Sequence, residues 1–101
     1  MINSKLVRDK IPEIIRKKGL VPVIHIATDE EYWQKLKEKL QEEISEFIKD
    51  SNEEELADIL EVVYAVCDYK RFDIKEIEKL RKKKARERGA FSGRIILDET
   101  K

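Results

Sequence analysis

The chain has 101 residues, of which 44% are charged and 41% apolar, with only three Gly and two Pro. That length suits one hydrophobic core, and therefore one domain over 1–101, and the composition favours helices over turns or disorder. Lys+Arg and Asp+Glu balance at 22 each, so no whole-chain field draws the protein to nucleic acid or to an anionic membrane, and any anion site must be local.

Cys67 is the single cysteine and lies in an apolar run, which excludes an intramolecular disulfide and suits a reducing interior. The opening "MINSKLVRDK" has no apolar stretch behind its basic residues, and no run is long enough to cross a bilayer. A soluble, cytoplasmic protein is expected. Asn and Gln are scarce while acids and bases are dense, as in proteins of hot environments, where ion pairs cost less to desolvate.

In chain order, "RDKIPEIIRKKG" is the first helix, with Ile11, Ile14 and Ile15 on one stripe, Pro12 in the first turn and Gly19 as its stop. "VPVIHIA" follows and is β-branched; "GRIIL" near the other end has the same character, and the two allow a small two-stranded ribbon. His25 has no second histidine to help it hold a metal and is given no chemistry.

Thr28 and Glu31 form a capping box that opens a helix over 29–49, with Trp33, Leu36, Leu40, Ile44 and Phe47 on its apolar face. At about 100° per residue, Glu42 points nearly opposite that face. Glu43, Glu46 and Asp50 form a separate stripe along its flank.

A polar break, "DSNEE", precedes a second long helix over 53–70. Leu56, Ile59, Leu60, Val63, Val66 and Cys67 make one apolar face; Glu55, Asp58, Val62, Ala65 and Tyr69 make another stripe, apolar except for its two leading acids. Glu54, Glu61 and Asp68 lie on the polar side. The third long helix begins at Asp73 and stops at Gly89, with a thin apolar stripe of Ile74, Ile77, Leu80 and Ala85.

Two helices joined by a short loop lie antiparallel, which brings the Glu43/Glu46/Asp50 flank to the Glu55/Asp58 stripe. Like charges so placed repel, and a hard divalent cation, Mg²⁺ or Mn²⁺, is the simplest partner for so many oxygens. Against this, Glu55 stands three residues after Asn52 and fits a capping box, and Glu43 and Glu46 can pair with Lys39 and Lys49.

"EEISE" followed by "ELAD" is similar to the EExxE…ExxD signature of the all-α nucleoside triphosphate pyrophosphohydrolases, which include the MazG-like proteins, the dimeric dUTPases and the phosphoribosyl-ATP pyrophosphohydrolases. "KLVRDKIPEII" and "KARERGAFSGRIIL" resemble the two ends of the MazG-like, phosphoribosyl-ATP-pyrophosphohydrolase-like branch, so the likeness spans nearly the whole chain. Ala90 departs from it, standing where that branch has a second glycine after "RG".

The resemblance implies an all-α hairpin or bundle with Glu43, Glu46, Glu55 and Asp58 as Mg²⁺ ligands and catalytic carboxylates, and Mn²⁺ as a possible substitute. It implies hydrolysis of a nucleoside triphosphate, or of a phosphoribosyl-ATP-like nucleotide, to a monophosphate and pyrophosphate. Asp50 or Glu61 would be a spare carboxylate for the proton of the attacking water. Phosphate-binding cations are sought at Lys84 and Arg88 in "KLRKKKARERG", and at Arg8 and Lys10 in "LVRDK". No glycine-rich phosphate loop exists. A second helix apolar on two sides points to a homo-oligomer, dimer or tetramer. The alternative is a non-catalytic module that uses the basic helix 79–88 to bind nucleic acid or protein; the neutral charge balance and the lack of interleaved aromatics oppose it.

Overall fold

A computed structural model describes residues 4–101, in which four helices follow one another: α1 (Ile11–Lys17), α2 (Asp29–Asp50), α3 (Glu53–Lys70) and α4 (Ile74–Arg88). The fold is mainly α, as the composition indicates, and its centre is an antiparallel hairpin of α2 and α3.

Each long helix begins on a side chain that accepts an otherwise unsatisfied backbone N–H. Thr28 Oγ1 accepts from Glu31 N at 3.3 Å, Asn52 Oδ1 from Glu55 N at 3.0 Å and Asp73 Oδ1 from Lys75 N at 2.8 Å. The Thr28 box is one-sided: the Glu31 carboxylate does not return to the cap but lies 2.9 Å from Nε2 of His25. Helix α2 ends at Ser51, whose left-handed φ of 52° turns the chain directly into the Asn52 cap, so two residues join the helices. That tight link sets the antiparallel pairing.

The α2–α3 hairpin holds the buried apolar side chains, Leu36 from α2 and Val62 and Cys67 from α3, with Leu40 and Phe47 of α2 half-buried. Leu36 is fully buried, and Val62 and Cys67 are nearly so. At the end of the hairpin away from the loop, the Trp33 and Tyr69 rings stack at 5.5 Å with 4° between their planes, and Tyr32 meets Tyr69 edge-on. Lys70 and Lys37 approach the Trp33 ring at 4.3 and 5.2 Å. The stripe that begins with Glu55 and Asp58 is therefore the side of α3 turned to α2. The other apolar side of α3 is only partly covered: Cys67 is buried, but Leu56, Leu60 and the neighbouring Tyr64 are all about half exposed.

The two β-branched segments do not form the ribbon. No strand occurs among the described residues, and Val23 is 96% and Ile95 88% exposed. A two-stranded ribbon is marginal in water without a surface to pack on, and neither segment lies against one.

Candidate metal centre

The loop end of the hairpin carries the acids. Glu43, Glu55 and Asp58 each bring a carboxylate oxygen within 4.8 Å of the others, and so do Glu46, Asp50 and Glu55. Glu55 belongs to both groups, so four other carboxylates, from two helices, lie near it. Its position follows from the cap. With Asn52 holding the Glu55 N–H, Glu55 stands in the first turn of α3, where its carboxylate comes within reach of Glu46 and Asp50 near the end of α2. The carboxylate thus faces other acids rather than completing a capping box. Partial desolvation, then the charges of Asp58, Asp50, Glu46 and Glu43, raise the Glu55 pKa above the usual carboxylate range.

Two cations already touch this cluster. Lys39 Nζ lies 3.3 Å from Glu43, one turn along α2, and Arg8 Nη2 donates to Asp58 Oδ1 at 2.7 Å. Glu43 is buried at 8% exposure, and the lysine makes that tolerable. No side-chain cation lies within ion-pair distance of Glu46, Asp50 or Glu55 among the described residues. Exposed acids cluster in proteins without binding metal. Here the donor set is all oxygen and mostly uncompensated, which suits a hard divalent cation rather than a soft one.

A groove of about 520 Å³ opens beside Glu43 and Asp58. Its floor includes Leu36 and Val62, and the segment before α1 forms a wall with Leu6, Val7 and Arg8. Tyr32 and Glu61 also line it. Burial, then the charges of Asp68 and Asp9, raise the Tyr32 pKa, so its hydroxyl remains a donor across the neutral range.

Of the side chains singled out in the sequence, Glu43, Glu55 and Asp58 come together in one group, while Glu46 joins Glu55 only in a second group, with Asp50. Arg8 is at the site. Lys10 is exposed at the start of α1 and lines no part of the groove. Lys84 and Arg88 are exposed on α4 and do not line it either, because α2 and α3 are the helices that pack extensively on each other and α4 stands apart. Glu42 differs from its helix-angle expectation. It is half-buried, 3.6 Å from Lys39 and 3.9 Å from Lys5, because the segment before α1 crosses the side of α2 that the helical wheel leaves to solvent. Sequence reasoning passed over the Lys39–Glu43 pair as a part of the site and missed Tyr32. The i, i+4 spacing of the former was the available signal.

Comparison with known proteins adds little. No family model matches the chain, and no solved structure does. A protein of Mycolicibacterium smegmatis, described only as uncharacterized, is 54% identical over 43 residues, which cover 43% of this chain and 44% of that protein.

Proposed function

We propose that the chain is a metal-dependent nucleotide pyrophosphohydrolase of the MazG-like, phosphoribosyl-ATP-pyrophosphohydrolase-like kind. The observation that carries this reading is the pair of carboxylate groups that share Glu55, one with Glu43 and Asp58 and the other with Glu46 and Asp50, with a groove beside Glu43 and Asp58. Glu43, Glu46, Glu55 and Asp58 would hold Mg²⁺, or Mn²⁺ in its place. The bound ion would supply charge neutralisation at the phosphates and a more acidic water.

The chain's own residues account for the rest. Asp50, beside Glu46 and Glu55, would accept a proton from water, and Glu61 offers a second carboxylate on the groove wall. Arg8, on the groove wall, is the cation that would meet a phosphate oxygen, whereas Lys10, Lys84 and Arg88 stand outside the groove. Leu36, Val62 and Ala65 form the groove's apolar lining, against which the less polar part of a nucleotide would rest.

Self-association belongs to the same reading. The radius of gyration is 18.1 Å, against about 13 Å for a compact chain of this length. Ile44 and Ile48 of α2, together with Leu56, Leu60 and Tyr64 of α3, remain substantially exposed. A dimer or tetramer built on the hairpin would cover them.

The deciding experiment is Mg²⁺-dependent pyrophosphate release from a panel of nucleoside triphosphates, including deoxy and damaged ones, with Glu46→Gln alongside. Turnover by wild type and its loss in the variant are expected. No turnover, with equal metal binding by both proteins, would end the enzyme reading. One observation favours a second reading. Every residue of α4 except Ala85 is exposed, and its Arg81, Lys82, Lys83, Lys84, Arg86 and Arg88 offer a basic surface to a nucleic acid or acidic protein. Salt-sensitive retention on RNA or DNA would support that alternative.

A further inference from the structure

The chain before α1 brings its own cation to the carboxylates. Residues 4–8 form neither helix nor strand, yet they are held along the hairpin. Lys35 Nζ donates to the Ser4 carbonyl at 2.9 Å, Lys5 stands 3.9 Å from Glu42, and Leu6 and Val7 are half-buried in the groove wall. The segment closes with Ile11 N donating to the Arg8 carbonyl at 3.0 Å, which starts α1. Arg8 therefore hangs between two fixed points, and its side chain, 55% exposed, bonds Asp58.

We propose that Arg8 is an exchangeable counter-ion. It holds Asp58 while no divalent cation is bound, yields that carboxylate when one binds, and then turns its guanidinium to a phosphate of the nucleotide. This rests on the metal-dependent reading given above, and it assigns Arg8 an order of action that this reading lacks.

Three observations support the exchange. First, the pair is exposed on both sides, and solvent-screened pairs of this kind are weak, so a doubly charged ion with several carboxylates can displace it. Second, only the guanidinium need move. Ser4, Leu6 and Val7 keep the backbone in place through contacts that do not involve the acids. Third, the planar guanidinium fork matches phosphate as well as carboxylate, so Arg8 exchanges one anion for another at the same groove edge. Lys39 is the contrast, since it stays on its own helix beside buried Glu43.

The test titrates Mn²⁺ by calorimetry into the full chain as wild type, Arg8→Gln and Arg8→Lys, and then titrates a non-hydrolysable nucleoside triphosphate analogue into each Mn²⁺-loaded protein. Removing the competing charge should tighten Mn²⁺ binding about two- to fivefold in R8Q, the equivalent of one exposed ion pair. R8K should stay close to wild type. The order should reverse for the analogue, with R8Q weaker by about tenfold, the scale of one lost charged hydrogen bond. Equal Mn²⁺ affinities in wild type and R8Q would overturn the exchange and leave the metal reading standing. A wild-type chain that binds no Mn²⁺ would overturn both.

Discussion

Arg8 and Asp58, fifty positions apart in the chain, meet through a 2.7 Å hydrogen bond that ties the segment before α1 to the first turns of α3. Without that bond the segment would rest on Leu6, Val7, the Lys35 contact and the long Lys5–Glu42 pair. Both partners are more than a third exposed, so solvent screens the pair. Arg8→Ala should lower stability by no more than about 0.2–1 kcal/mol in metal-free buffer. Chemical denaturation at low and high salt checks this, and the loss should shrink as salt rises.

Glu55 sets the pH dependence of the cluster. Its folded pKa is raised, so the folded state takes up a proton more readily than the unfolded chain. Stability from this group is fully present below the unfolded carboxylate pKa and is lost as pH rises through the higher folded value. In metal-free buffer, Glu55→Gln should therefore raise the melting temperature at neutral pH and make little difference in acid. Melting curves across that range, with and without Mg²⁺, read this directly. Added Mg²⁺ should stabilise wild type and should stabilise the variant much less.

Glu46 shares its group with Asp50 and Glu55 and has no side-chain cation within ion-pair distance among the described residues. Substitution of outer partners of metal ligands costs about 10–100-fold. Glu46→Gln should accordingly reduce pyrophosphate release at limiting Mg²⁺ at least about 100-fold while the circular dichroism spectrum stays unchanged. Part of the loss should return at high Mg²⁺.

Leu36 is the one fully buried large side chain among the described residues and sits where α2, α3 and the groove meet. Leu36→Ala should cost about 2–5 kcal/mol, from lost burial plus the cavity left behind. So thin a core leaves little reserve, and thermal denaturation should show a broad, early transition.

Leu60 lies 53% exposed on the open side of α3, one turn from Leu56 and Tyr64. A charge there should break the proposed self-association without touching the acids. Sedimentation of wild type should give a dimer or tetramer, and Leu60→Glu should shift it toward monomer. An unchanged sedimentation coefficient would place the contact elsewhere.

The helices were legible because local rules govern them. Thr28, Asn52 and Asp73 cap their helices where the sequence places them, and apolar spacing marks the face of α2 that packs. The same spacing placed five acids on two flanks, and a two-residue link was enough to bring the flanks together. Local rules cannot say what a segment without periodicity rests against. The segment at residues 4–8 crosses α2, draws Glu42 in from solvent and delivers Arg8 to Asp58, all through contacts more than thirty residues apart in the chain. β-branched composition likewise pointed to a ribbon at 21–27 and 93–97, but pairing needs a surface and the tertiary structure provides none among the described residues. The sequence alone determined which residues carry charge toward α3. Only the fold decided which cation answers them, because that depends on where a chain without periodicity comes to lie.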